Sequence, residues 1–419
     1  MRKMEQILNV ISWGLVLILG SGCSYIGLTQ NVALLNHSSS ISGVVGSEES
    51  DTPIVVTLNK VTGENVKLEE FVTTFPNDLF RFTVEEGSYY LFAFEDPNKN
   101  FTLDENERIA FYGSPSLLRL EPHENVGNLN LQLLSTDSAK RVLPRIYSPE
   151  SPYKPVSHQS NSLGKVVIPS YFQPTVGRLG MWEPVKFHEM GNSGIFFLEE
   201  YEPHKIPVLF VHGMSGSGYD WLNLANELDR NIYQPWIVQY PSGIDLELSS
   251  QMLHQSVTEL AIRFDVSEIK VVAHSMGGLV SKSFINHVFS SKPQQPNISS
   301  FITISTPWAG HDAAQIGIKY MPVAVPSWFN MAPNSKFLRN LKAVPLREHL
   351  SFHLFFSYRD NPSLISSKNT DGVVSIESQL MTEAQDDAIS VYGLNESHTS
   401  ILKSPIMAKK LNEALKMSH

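Results

Sequence analysis

The stretch from Ile269 to Gly278 leaves the chain few choices of local fold. Ile269 to Val272 is a mostly apolar, β-branched run that reads as a buried strand, and a helical pattern begins at Leu279. Between them lies a turn of small residues with Ser275 at its apex, flanked two positions away by Ala273 and Gly277. So tight a turn excludes bulky flanking residues and strains the serine outward. Its hydroxyl then stands above the strand end, at the N-terminus of the following helix. The partial positive charge there favours a developing anion. A five-residue match is weak alone; the strand before and the helix after are what give it meaning.

Composition narrows the possibilities. The chain has 419 residues, enough for two domains, with 42% hydrophobic and 18% charged residues, an ordinary globular balance. A net charge of −10 offers no basic footprint for nucleic acid. The single cysteine, Cys23, excludes an intrachain disulfide and a cysteine zinc site.

That cysteine suits another purpose. Arg2 and Lys3 precede an apolar run from Ile7 to Gly20, interrupted only by Asn9 and Ser12. It is too short to span a bilayer comfortably and fits a signal-peptide core. Leu19-Gly20-Ser21-Gly22-Cys23 resembles a bacterial lipobox, with the leucine at −4 rather than the usual −3. The expectation is a signal peptide over residues 1–22 and lipidation of Cys23, hence a cell-envelope lipoprotein. Ser24 carries no acidic retention signal, which favours the outer membrane if the chain is Gram-negative. An ordinary secreted signal or an inner-membrane anchor are the alternatives. Residues 23–40 show no period and read as a tether.

Residues 41–137 carry short strand-like runs: 41–45, 54–58, 79–84, 89–94 and 129–133. They predict a small all-β, sandwich-like domain, similar in pattern to prealbumin-like and carboxypeptidase-regulatory-like modules. Within it, Asp96, Asn98, Asn100, Asp104 and Glu107 fall at positions 1, 3, 5, 9 and 12 of an EF-hand calcium loop. Phe101 stands where that loop has glycine, and no helical pattern flanks it. A structural calcium ion and an acidic, solvated hairpin loop are both open readings. Residues 138–180 form a linker or crossover, rich in Ser, Pro and Lys up to 165.

Residues 181–419 alternate strand and helix patterns. Strands are expected at 185–187, 194–201, 206–211, 236–240, 269–272, 301–305 and 352–358, with helices at 222–228, 253–264 and 404–417. Such alternation argues for an α/β fold with a mostly parallel sheet. Strand 206–211 ends in His212-Gly213-Met214, and Ser305-Thr306-Pro307, Asp371-Gly372-Val373-Val374 and His398 follow further along. With the Ser275 turn, these marks make the region from about 180 to 410 resemble bacterial lipases and esterases of the α/β-hydrolase superfamily, in the triacylglycerol-lipase or inositol-deacylase-like branches.

The resemblance implies a triad of Ser275, Asp371 and His398, with the backbone amides of Met214 and Met276 as oxyanion donors. Asp360 is the rival acid, and His274, His311, His349 and His353 are the rival bases. It further implies ester hydrolysis through an acyl-enzyme, with no cofactor required. The apolar insertion Trp308 to Leu350 reads as a lid or as plain packing. Tyr219, Trp221 and Tyr240 are candidate pocket residues for a lipid-like ester, or ordinary core. An acyltransferase or thioesterase with the same triad, and a catalytically idle binding lipoprotein, are the rival functions.

Overall fold

The structure is a computed structural model of the 419-residue chain. It describes residues 22–47, 52–104, 106–113, 116–134, 163–291, 295–342, 344–359 and 369–417. The apolar run from Ile7 to Gly20, Asp360 and most of the expected linker lie outside the described residues.

Helix α1 (Gly22–His37) opens the described chain, where a tether is expected. Leu28 is fully buried, and Asn31 Oδ1 accepts from the Val185 amide at 2.8 Å. Gly27 lies so close to Glu183 that a Cβ would stand 2.8 Å from its side chain. The buried stripe of Gly27, Leu28 and Asn31 is a tight contact rather than an apolar face, so hydrophobic periodicity does not reveal it. Cys23 belongs to the first turn of this helix.

Eight strands follow: β1 (Ser39–Gly46), β2 (Ile54–Thr62), β3 (Asn65–Thr74), β4 (Leu79–Val84), β5 (Gly87–Glu95), β6 (Ile109–Phe111), β7 (Leu118–Leu120) and β8 (Asn125–Gln132). They form two sheets, ordered β4-β1-β8 and β3-β2-β5-β6, with β7 also pairing β5. Inward residues of both sheets, among them Ile41, Val45, Val56, Phe80, Phe82 and Leu91, share one core, as in a sandwich. The pairing is antiparallel except for β1 with β8.

The rest of the chain builds an eight-stranded sheet. Its elements are β9 (Lys165–Val166), α2 (Pro174–Trp182), α3 (Pro184–Glu189), β10 (Gly194–Phe197), β11 (Ile206–Val211), α4 (Leu222–Asn226), β12 (Tyr233–Gln239), α5 (Leu246–Phe264), β13 (Glu268–His274), α6 (Met276–Ser290), β14 (Asn297–Ile304), α7 (Asp312–Tyr320), α8 (Pro326–Met331), α9 (Lys336–Leu341), β15 (Ser351–Tyr358), α10 (Ile376–Gln379), α11 (Thr382–Asp387), β16 (Ser390–Asn395) and α12 (Pro405–Lys416). The strand order is β16-β15-β14-β13-β11-β12-β10-β9, and only β10 runs antiparallel to its neighbour β12.

Apolar residues of β11, β13 and β14 feed two cores, one on each face of the sheet, as strands buried on both sides must. This is the α/β-hydrolase arrangement, preceded by a separate β-sandwich. The segment Val185–Phe187, expected as a strand, lies in α3, because Pro184 presets the first helical turn. The sandwich meets the larger unit along α5, where Gln255 Nε2 donates to the Arg81 carbonyl at 2.9 Å.

Candidate active site

Strand β13 ends at His274 and α6 begins at Met276, so Ser275 alone makes the turn. It does so at φ 54° and ψ −130°, a conformation L-residues seldom adopt. Two close approaches explain the small neighbours. A Cβ on Gly277 would lie 2.4 Å from the carbonyl oxygens of Val211 and His212, and one on Gly213 would lie 2.8 Å from Ser275 Cβ. Ser275 N donates to the Ile304 carbonyl at 2.9 Å, which ties the turn to β14.

Asp371 and His398 come from the loops after β15 and β16, at the same end of the sheet. Ser275 Oγ lies 2.8 Å from His398 Nε2, and His398 Nδ1 lies 2.7 Å from Asp371 Oδ2. All three residues are buried. A carboxylate can only accept, so Nδ1 carries the proton and Nε2 presents its lone pair to the serine hydroxyl.

Asp371 is fully buried yet well satisfied. Its Oδ1 accepts from the amides of Val373 (2.9 Å) and Val374 (2.8 Å). Its Oδ2 also accepts from Ser357 Oγ (2.8 Å) and Gln379 Nε2 (3.1 Å). Burial pushes this carboxyl up, but the bond and charge of His398, then the Val373 amide and Ser357, outweigh it and hold it below the usual carboxylate range. Ser357 in turn meets Ser305 Oγ at 2.6 Å. Ser305 lies in the Ser305-Thr306-Pro307 mark, but neither Ser357 nor Gln379 stands out in the sequence. Ser357 sits near the end of the mostly apolar β15, and a polar residue there is the one signal that could have marked it.

Gly213 packs against Ser275, which brings Met214 beside the nucleophile. Met276 is the first residue of α6, and the first helical amides have no partner within their helix. Met276 is buried and Met214 is 39% exposed, at the rim.

The alternative bases make other contacts. His274 is buried and its Nε2 bonds the His398 carbonyl at 2.8 Å, so it positions that loop from beneath. Burial, then the charge of His398, drops its pKa to about 3. His353 lies within β15, bonded to Ser390 Oγ at 2.7 Å, and His349 is exposed beside Phe289. His311 caps α7 by accepting the Ala313 amide at 3.1 Å.

The three aromatics do not gather at the serine. Trp221 is fully buried against Phe210, and Tyr240 is buried, stacked on His212 with its hydroxyl donating to the His212 carbonyl at 2.8 Å. Both are packed as core, whereas Tyr219 is exposed. The insertion after β14 holds α7, α8 and α9. Val325, Trp328 and Met331 face the core, while Tyr320 and Phe329 are 65% and 55% exposed.

Asp96, Asn98, Asn100, Asp104 and Glu107 occupy one loop of the sandwich, between β5 and β6. Among the described residues, no three His, Cys, Asp or Glu side chains are already arranged to hold a metal ion.

Residues 202–339 match the family model described as "Putative serine esterase (DUF676)". The match contains His212-Gly213 and Ser275 but ends before Asp371 and His398. No curated protein matches the chain. Among solved structures, the mature lipase BlEst2 of Bacillus licheniformis is 18% identical, with a TM-score of 0.41 over 53% of this chain and 97% of that one. Lipase B of Aspergillus fumigatus is 16% identical, with a TM-score of 0.39 over 52% of this chain and 54% of that one. Phospholipase PlaB of Legionella pneumophila, in its complex with thio-NAD, is 17% identical, with a TM-score of 0.35 over 42% and 44% of the two chains.

Proposed function

We propose that this chain is a serine hydrolase that cleaves carboxylic esters with an apolar acyl group. One observation carries the reading: the unbroken chain of contacts from Ser275 Oγ through the His398 ring to Asp371, built on a strained turn at a helix N-terminus. In the first step His398 Nε2 takes the Ser275 proton as Oγ bonds the ester carbonyl carbon. Asp371 keeps the ring in the required tautomer and offsets the charge of the imidazolium. The oxyanion faces the amides of Met214 and Met276. Donors of this kind contribute about 3–4 kcal/mol to transition-state stabilisation. His398 then returns the proton to the leaving alcohol, and a water molecule repeats the sequence to free the acid.

The apolar cap formed by α7 to α9, with Tyr320 and Phe329 exposed on it, supports a lipid-like acyl chain. The lipobox-like segment ending at Cys23 supports an anchored envelope protein. One experiment tests both halves. The full chain and its Ser275→Ala and Cys23→Ser variants are expressed in a bacterial host, fractionated, and assayed on a p-nitrophenyl ester series. The expected result is membrane-associated activity that rises toward long acyl chains, absent in Ser275→Ala and soluble in Cys23→Ser. Turnover that persists in Ser275→Ala would remove the nucleophile assignment. Activity confined to short chains would reduce the cap to packing, and Cys23→Ser still in the membrane fraction would remove the lipid anchor.

A further inference from the structure

The sandwich carries a loop that the hydrolase chemistry does not use. Asp96, Asn98, Asn100, Asp104 and Glu107 hold positions 1, 3, 5, 9 and 12 of a twelve-residue oxygen-ligand loop. Position 6 of such a loop needs a residue with positive φ, ordinarily glycine. Here Phe101 adopts φ 56°. The side chains already converge. Asn98 Nδ2 and Asn100 Nδ2 both meet Asp104 Oδ2, at 2.8 and 2.9 Å, and Glu107 Oε2 accepts from the Asp104 amide at 2.8 Å. Asp96 is fully buried and receives the amides of Asn100 and Phe101, each at 2.9 Å.

The observation that asks for a ligand is a separate one. Glu107 is 7% exposed, and its Oε1 is buried with no hydrogen-bond partner. An orphaned buried carboxylate oxygen is costly. The other oxygen, Oε2, is held within the loop by the Asp104 amide. The cations of this stretch are committed elsewhere: Arg108 to Glu95 at 2.5 Å and Lys99 to Asp265 at 2.6 Å.

We propose that these five side chains bind one calcium ion, and that the ion braces the sandwich against helix α5. All the donors are hard oxygens, which suit calcium rather than zinc or copper. One oxygen from each of four residues and two from Glu107 make about six, the lower end of calcium's coordination range. The three carboxylates do not close into a shell by themselves, because the two Asn nitrogens reach Asp104. Asn98 Oδ1 and Asn100 Oδ1 accept from the Asn100 and Thr102 amides at 3.2 and 2.7 Å, and the second lone pair of each oxygen remains for an ion that takes the place of the two nitrogens at Asp104. Two other side chains of the loop, Lys99 and Phe101, carry the brace. Lys99 Nζ pairs with Asp265 just past the end of α5, and the Arg263 guanidinium lies 5.7 Å from the Phe101 ring centroid. Lys99 and Phe101 are both positive-φ residues, so the conformation that gathers the ligands also aims the two contacts.

The test uses the full chain, stripped with a chelator, in calcium titration calorimetry and in hydrogen exchange with and without calcium. The expected result is one calcium per chain, with magnesium binding far more weakly, and slower exchange over residues 255–265. Glu107→Gln and the surface substitution Asp104→Asn should each weaken calcium binding about tenfold or more, as loss of a charged ligand does. Ser275→Ala should bind calcium as the parent does, which separates this result from the fate of the hydrolase reading. No stoichiometric binding, or binding unaltered in both ligand variants, would overturn the site. Binding that leaves exchange in α5 unchanged would overturn the brace.

Discussion

Asp371 shows how much a single side chain depends on its surroundings. It gives up all contact with water, which disfavours its charge, and recovers the loss through five donors: two amides, a serine, a glutamine and His398. Two predictions distinguish its roles. Asp371→Asn keeps the shape but can stabilise the wrong His398 tautomer, so kcat should fall by about three to four orders of magnitude with KM little changed. Ser357→Ala removes one donor from Oδ2 and should cost roughly tenfold in kcat, the equivalent of about 1.4 kcal/mol for one bond to a charged group. Steady-state kinetics on one ester series measures both. Equal losses in the two variants would mean that the loop, rather than the carboxylate, is what the substitutions disturb.

At the scale of elements, the cap depends on a few polar joints. Asn330 in α8 accepts from the Leu246 amide at 3.0 Å and donates to Asp245 Oδ2 at 2.9 Å. Asp245 in turn caps α5 through the amides of Glu247 and Leu248. Asn330→Ala should loosen α8 by about 1–2 kcal/mol, seen as faster hydrogen exchange confined to residues 312–341. Exchange that quickens across the whole sheet would mean that the joint supports global stability instead. The same scale explains what the sequence reveals. Strand β11 is a continuous apolar run and β13, β14 and β15 are apolar over most of their length, legible because burial on both faces demands it. Ser275, Asp371 and His398 are legible because turn chemistry and chain order mark them. Helix α1 is not, since its contacts rest on Gly27 and Asn31 rather than on an apolar stripe. Strand β16 escapes as well: Ser390, Gly393 and Asn395 interrupt it, and it is held by pairing with β15 rather than by its own composition. Trp221 and Tyr240 mislead in the opposite sense, because aromatics near strand ends suit a pocket and a core equally until the loops are placed.

For the whole molecule, acid stability depends on groups far from the serine whose effects oppose each other. His353, fully buried in β15, has its pKa pushed down to about 4 by burial, partly offset by the Met417 backbone. The unfolded chain takes up that proton below about 6.5 and the fold does not, so this residue destabilises the protein increasingly as pH falls from 6.5 to about 4. Glu259, buried in α5, has its pKa raised to about 7 by burial, against the pull of Arg263. The fold holds its proton where the unfolded chain has lost it. This contribution is therefore fully present below 4.5 and is lost as pH rises to about 7. Each effect amounts to about 1.4 kcal/mol per pH unit at most. Between pH 6.5 and 4.5 the two oppose each other, and the variants should separate with opposite signs. Measured by urea unfolding against the parent, His353→Gln should gain stability as pH falls through that window, by up to about 3 kcal/mol. Glu259→Gln should lose a similar amount over the same window. If each variant differed from the parent by the same amount at every pH, the cause would lie in packing around the two sites, since volume is lost at any pH but a proton only across its own window.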